Sequence, residues 1–217
     1  MAELDHKIEN SEQSPQVVEH IMTLMDTEDE IFCCKYDPTD KYIACGCGDG
    51  AVRVFNTLTG KMAFLLANPN KYDELLFPIT CLRWRPITPD MKTKNVLVAC
   101  SADGSIFHWH VTSGKLLHTM ESEGTNQFFC LDFSPDGKQF AMGAKDKSIR
   151  IVDEHTKSYL SILSGGYGMQ GHSNRVFSVK YVPDDPNLLI SGGWDNTVLL
   201  WDLRSEKVIK SFYGPHI

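Results

Sequence analysis

The stretch SGGWDNTVLLWD, residues 191–202, decides how this chain is read. It holds Ser191, Asp195 and two tryptophans, Trp194 and Trp201, with His172 a short way upstream. Serine, histidine and aspartate are the residue types of a hydrolytic triad. They are also what a buried hairpin uses to satisfy its own polar groups.

Three more segments align with it: CGCGDGAVRVFN (45–56), ACSADGSIFHWH (99–110) and MGAKDKSIRIVD (142–153). The shared aspartates Asp49, Asp103, Asp146 and Asp195 are 54, 43 and 49 residues apart. Three residues on comes Val52, Ile106, Ile149 or Val198, and six residues on comes Phe55, Trp109, Val152 or Trp201. Upstream, IFCCKYDP (31–38), ITCLRWRP (79–86), FFCLDFSP (128–135) and VFSVKYVP (176–183) each read as a strand closing at a proline, which cannot donate within a sheet. Downstream, LTGK (58–61) and TSGK (112–115) supply hairpin turns. Each repeat therefore predicts four short antiparallel strands. Extra sequence at ITPDMKTKN (87–95) and SGGYGMQG (164–171) accounts for the uneven spacing, because loop insertions cost little.

With these repeats the chain resembles the WD-repeat β-propeller family, whose unit is about 40–45 residues and four strands per blade. The fourth repeat carries both signatures, Gly171-His172 at its start and Trp201-Asp202 at the end of its third strand. The resemblance covers about residues 28–214. It implies an all-β fold of four four-stranded blades, about 28–66, 77–120, 126–163 and 171–213, behind an acidic N-terminal arm over 1–27. That arm is expected to be partly disordered, with a possible closing strand, VVEHIMTLM, at 17–25. It further implies a structural network of His172, Ser191, Asp195 and Trp201. The other repeats replace the serine by Cys45, Ala99 and Met142, and two replace the tryptophan by Phe55 and Val152. Apolar packing is expected to hold those blades.

Propellers have four to eight blades, commonly seven in this family, and only four repeats are visible. The propeller is therefore expected to be incomplete, open or truncated. The favoured reading is a fragment or short isoform of a longer propeller. A half-propeller completed by a second copy or a partner, and a closed four-bladed ring, stand as alternatives.

Net charge is −7, and residues 1–30 hold nine acids against one lysine. That balance disfavours nucleic acid as a partner. No apolar run has the length of a membrane span, about 18 residues, and MAELDHKIEN is not a secretory leader. The seven cysteines, an odd number with an adjacent pair at Cys33-Cys34, read as reduced core residues of a cytoplasmic or nuclear protein. Cys45-Gly-Cys47 lacks zinc spacing. GCGDGAVR (46–53) leads into a strand rather than a helix, unlike a phosphate loop. His108 and His110 share one strand face without an obvious third ligand. His108 is the odd residue of the set, standing where the other repeats have Val54, Ile151 and Leu200. No cofactor and no metal are expected, and no catalytic residue.

The expected function is a non-catalytic scaffold that holds other proteins in a larger assembly. By the resemblance, partner contacts use the residue before each turn aspartate and the residue opening each first strand. These are Gly48, Ala102, Lys145 and Trp194, with Glu30, Pro78, Gln127 and Arg175. Trp194, Arg175, Lys145 and Gln127 are the foremost candidates, and Trp and Arg are the types enriched at binding hot spots. ISGGWDNTVLLWDLR (190–204) also resembles the Trp-Asp-x-Arg box of cullin–RING ligase substrate receptors, in which Arg204 would meet the adaptor.

Overall fold

A computed structural model describes residues 19–24, 29–68, 76–122, 125–166 and 168–214. Alternating apolar and polar residues, punctuated by turn signals, fold into sixteen strands in four antiparallel meanders. The first sheet contains β1 (Ile31–Tyr36), β2 (Tyr42–Cys47), β3 (Val52–Asn56) and β4 (Met62–Leu66). The second contains β5 (Ile79–Trp84), β6 (Val96–Ser101), β7 (Ile106–His110) and β8 (Lys115–Met120). The third contains β9 (Phe128–Phe133), β10 (Gln139–Ala144), β11 (Ile149–Asp153) and β12 (Tyr159–Leu163). The fourth contains β13 (Val176–Val182), β14 (Asp185–Gly193), β15 (Thr197–Asp202) and β16 (Lys207–Tyr213). One 3-10 turn at Val111–Ser113 is the only helical segment among the described residues.

The sheets stack face to face, and each interface is a separate apolar layer. Ala44, Val52, Val54 and Leu66 of the first sheet meet Leu82, Trp84, Leu97 and Trp109 of the second. Val98, Ile106 and Met120 then meet Leu131, Phe133 and Phe140. Ala141, Ile149, Ile151 and Leu163 meet Val179, Tyr181, Leu189 and Trp201. Period-two alternation produces this, because each central strand sends one face forward and one face back.

The inner strands β1, β5, β9 and β13 stand side by side in that order, but β13 and β1 share no comparable packing. The described residues thus form an open arc. Both of its outer faces show the consequence. Ile190, Val198 and Phe212 lie on one face of the fourth sheet, paired Ile190↔Leu200 and Val198↔Phe212. They are 40%, 42% and 47% exposed, while their equivalents in the other three sheets are buried under the next sheet. At the other edge Tyr36 is 60% exposed, whereas Trp84, Phe133 and Tyr181 in its place are buried.

No strand forms over residues 19–24, so the described part of the expected closing strand at 17–25 is not one; 17, 18 and 25 lie outside the described residues. Met22 and Leu24 instead lie beside Gly60, in the β3–β4 turn of the first sheet. The two insertions are loops, as expected. Met91 of the first reaches over to Gly137 in the third sheet. The second is pinched shut where Gly165 and Gly171 meet backbone to backbone, a contact no Cβ would permit.

Candidate functional site

In each repeat the turn aspartate accepts the backbone N–H two residues on. Asp49 takes Ala51 at 3.1 Å, Asp103 takes Ser105 at 2.8 Å, Asp146 takes Ser148 at 3.1 Å and Asp195 takes Thr197 at 3.2 Å. This Asx turn is the local reason an aspartate recurs at that position. A second bond also repeats. The N–H of the preceding residue donates to the carbonyl opening the inner strand: Gly48 to Glu30, Ala102 to Pro78, Lys145 to Gln127 and Trp194 to Arg175, at 2.8–2.9 Å. The four residue pairs expected on the partner face are therefore neighbours, joined through their backbones at one end of the arc.

In the fourth blade the four network residues form one hydrogen-bonded chain. Trp201 Nε1 donates to Ser191 Oγ at 2.8 Å, and His172 Nε2 lies 2.7 Å from that oxygen. His172 Nδ1 lies 2.9 Å from Asp195 Oδ2. The indole can only donate, so every group is satisfied when Ser191 donates to Nε2 and Nδ1–H donates to Asp195. Asp195 also accepts Ser173 N–H at 2.8 Å and Thr197 Oγ1 at 2.7 Å. Burial pulls its carboxyl up, but the bonds from Thr197, Ser173 and His172 outweigh that and hold it below the usual carboxylate range. Ser191 is 1% exposed and His172 4%. Triad-like distances are present, yet the hydroxyl is sealed under Trp201 and no substrate carbonyl reaches it. The chain instead ties the loop before β13 to the β14–β15 turn, which carries Trp194.

Two of the three blades without the serine, the first and the third, hold their turn aspartate with an arginine. Arg53 forks onto Asp49, at 3.0 and 2.7 Å. Arg150 reaches Asp146 Oδ2 at 2.7 Å. A guanidinium four residues after the aspartate crosses the tight turn and takes the role that His172 plays in the fourth blade. The Arg53 hydrogen bond is the largest influence holding the Asp49 carboxyl low.

Trp194 is 62% exposed, and the Arg175 guanidinium lies 5.6 Å from its ring centre, a cation–π distance. Phe177 packs against Trp194 at 4.7 Å between centroids, and Phe129 of the third blade stacks on Phe177 at 4.6 Å and 19°. The sequence reading did not single out either phenylalanine. Both are the extra residue of a β-bulge: Val176 pairs with Gly193 and Ser178 with Gly192, while Phe128 pairs with Ala144 and Cys130 with Gly143. The bulge takes them out of the pleat's alternation, and the two rings meet across the blades. A hydrophobic residue breaking period two just after Gln127 and Arg175 was the available signal.

Lys145 and Gln127 belong to the third blade at the same end, and Gln127 Nε2 is engaged with Ala102 O at 2.8 Å. Arg204 is elsewhere, in the β15–β16 turn at the opposite end of its sheet, exposed and bonded to Asp202 at 3.1 Å. His108 is fully buried between the second and third sheets, its Nε2 3.4 Å from Glu154 Oε2 without hydrogen-bond alignment. Arg85 at 3.1 Å and Lys157 at 2.8 Å hold the other Glu154 oxygen. His110 instead meets Ser113 at 2.6 Å. Among the described residues no cluster of His, Cys, Asp and Glu is placed to hold a metal ion, and no helix is long and apolar enough to cross a membrane.

Comparison with known proteins agrees with this architecture. The family model described as WD domain, G-beta repeat matches residues 18–56, 114–153 and 163–202. The sheet β5–β8 forms even though most of it lies in the unmatched interval. The chain is 27% identical over 176 residues to Periodic tryptophan protein 2 homolog of Dictyostelium discoideum, which covers 81% of this chain but 17% of that protein. It is 32% identical over 111 residues to the Ribosome biogenesis protein WDR12 homolog of Anopheles gambiae, covering 51% of this chain and 25% of that protein. A chain in the Crystal Structure of Mitotic Checkpoint Complex superposes with TM-score 0.70 at 20% identity, over 87% of this chain and 52% of that one. That likeness speaks to the fold. With four aligned blades, the repeated Asx turn and the His–Ser–Asp–Trp chain in place, the protein belongs to the WD-repeat β-propeller family.

Proposed function

We propose that this protein is a non-catalytic scaffold that binds other proteins within a larger assembly, and that it does so around Trp194 and Arg175. The observation that carries the reading is the exposed stack Trp194–Phe177–Phe129 capped by Arg175. Rigid aromatics offer a large contact area at low entropic cost. The hydrogen-bonded chain beneath fixes the turn that presents them. A relative named for ribosome biogenesis supports work inside a multiprotein assembly. Cytoplasm or nucleus is the proposed location, and no role for nucleic acid is proposed.

The test is quantitative affinity purification after crosslinking, with the wild-type chain compared against Trp194→Ala and Arg175→Glu. Both side chains are at the surface, so circular dichroism should be unchanged. Partners lost from both variants support the reading. Retention of every partner by both overturns it. The ligase alternative gains nothing from the names of these relatives. Adaptor binding abolished by Arg204→Ala is the result that would bring it forward.

The outer faces favour a second reading, self-association. The Ile190–Val198–Phe212 face has the chemistry of three faces that are each covered by the next blade. A second copy offers a covering face of the same kind through Tyr36 and the partly exposed Ile43, paired across β1 and β2. Sedimentation velocity should show dimers that Ile190→Glu dissociates; a monomer across the micromolar range ends this reading.

A further inference from the structure

At the proline end of the arc, the fifth residue of each inner-strand motif points to one cleft. These residues are Lys35, Arg83, Asp132 and Lys180, one from each blade. The cleft has a volume of about 470 Å³ and apolar walls that include Trp84 and Phe133. That volume is in the range of small-molecule sites, about 300–1,000 Å³.

Its charge balance is unusual for this molecule. Asp132 is 3% exposed and is the one acidic residue lining the cleft. Its Oδ1 accepts Arg83 Nε at 3.2 Å and Lys180 Nζ at 3.0 Å, and its Oδ2 accepts Tyr181 N–H at 3.0 Å. Asp132 therefore acts as an anchor that holds two cations at the cleft. Arg83 is further fixed by a bond from Nη1 to Leu82 O at 3.0 Å. Lys35 is exposed on the same cleft from the first blade. Three cations face one carboxylate, whereas over the chain beyond residue 30 the charges of the two signs nearly cancel. A recess whose lining carries an excess of positive charge between low-dielectric walls concentrates the field and draws in anions.

We propose that this cleft is a binding site for a small phosphorylated ligand carrying two or more negative charges. The remaining Arg83 terminal nitrogen and two ammonium groups approach from three different blades. A planar carboxylate is served by one guanidinium fork, whereas a tetrahedral phosphate presents oxygens in several directions to separate donors. Such a ligand would clasp the inner strands together at the end of the arc away from Trp194. This site stands independently of the partner face.

Isothermal titration calorimetry of the full chain with pyrophosphate tests the assignment, with citrate as a carboxylate of comparable charge. Saturable one-to-one binding of pyrophosphate, weaker for citrate, is expected. Lys35→Ala and Lys180→Ala each should weaken it about tenfold, the scale of one charge-assisted hydrogen bond at a partly exposed site. Lys210→Ala, an exposed lysine on the outer strand β16, should leave it unchanged. Absence of saturable binding overturns the proposal. So does an equal loss with Lys210→Ala, which would mark diffuse attraction, or citrate binding as tight as pyrophosphate.

Discussion

Replacing Ser191 by alanine deletes a single hydroxyl but leaves two buried groups without partners. Trp201 Nε1 loses the acceptor at 2.8 Å, and His172 Nε2 loses its neighbour at 2.7 Å. Trp201 is 1% exposed and His172 4%, so water does not readily take the vacated place. A buried polar group left unsatisfied costs about 1–3 kcal/mol, so the two together predict a loss of about 2–6 kcal/mol. Against a typical domain stability of about 5–15 kcal/mol, that is a large share. Urea denaturation followed by tryptophan fluorescence measures it. Trp201→Phe removes the donor from the other side, at the further expense of imperfect packing. Because the two groups are bonded to each other, the double variant Ser191→Ala/Trp201→Phe is less damaged than the sum of the singles, by about 1 kcal/mol. A Ser191→Ala loss under about 0.5 kcal/mol, the size of an ordinary surface substitution, would refute the reasoning. Strict additivity in the cycle would refute it as well.

The buried His108 gives a pH signature. Burial lowers its pKa despite Glu154 at 3.4 Å, with Lys157 and His118 acting in the same direction as burial. The unfolded chain takes up this proton near pH 6.5, before the folded one does, so the contribution is complete above about pH 6.5 and declines below it. His108→Ile, matching Ile151 of the next repeat, should flatten that decline by up to about 1.4 kcal/mol per pH unit; parallel pH profiles for the two proteins would contradict it. A Cβ on Gly143 would lie 2.5 Å from Cys130 Sγ and 3.0 Å from Val176 O, so Gly143→Ala should force the third and fourth blades apart. The expected loss is about 1–3 kcal/mol in thermal or urea melts, and an unchanged midpoint would show that the blades do not approach so closely. Burial pushes the Cys33 and Cys130 thiols up to about 12 and Cys45 to about 11, whereas Cys34 is exposed. Intact-mass spectrometry during alkylation should show one fast addition at Cys34; several simultaneous additions would mean that the core is open.

Much of the fold was legible because its information is local and repeated. Each Asx turn depends on an aspartate and the N–H two residues on, so four copies at similar spacing locate four hairpins. The prolines at 38, 86, 135 and 183 mark the ends of the inner strands for an equally local reason. The His172–Ser191–Asp195–Trp201 chain was legible only through its family resemblance, since its members are spread over thirty residues. The arginines of the first and third blades escaped the sequence reading. Arg53 and Arg150 alternate with apolar residues and look like ordinary solvent-facing positions. Only the folded turn shows that each crosses back to its own aspartate.

The sequence by itself determined the strand count, the hairpin order and which end of each sheet holds the turn aspartates. These follow from side-chain periodicity and turn chemistry within about forty residues. The tertiary structure alone decided what meets across blades. Phe129 reaches Phe177, and Asp132 gathers Arg83 and Lys180, over some fifty residues of chain. A break in period two marks each bulge, but no pattern in one repeat announces that the two phenylalanines meet, or that one carboxylate serves two neighbouring blades. Both arise when rigid sheets stack at close range, and stacking also leaves the fourth blade's Ile190, Val198 and Phe212 in solvent.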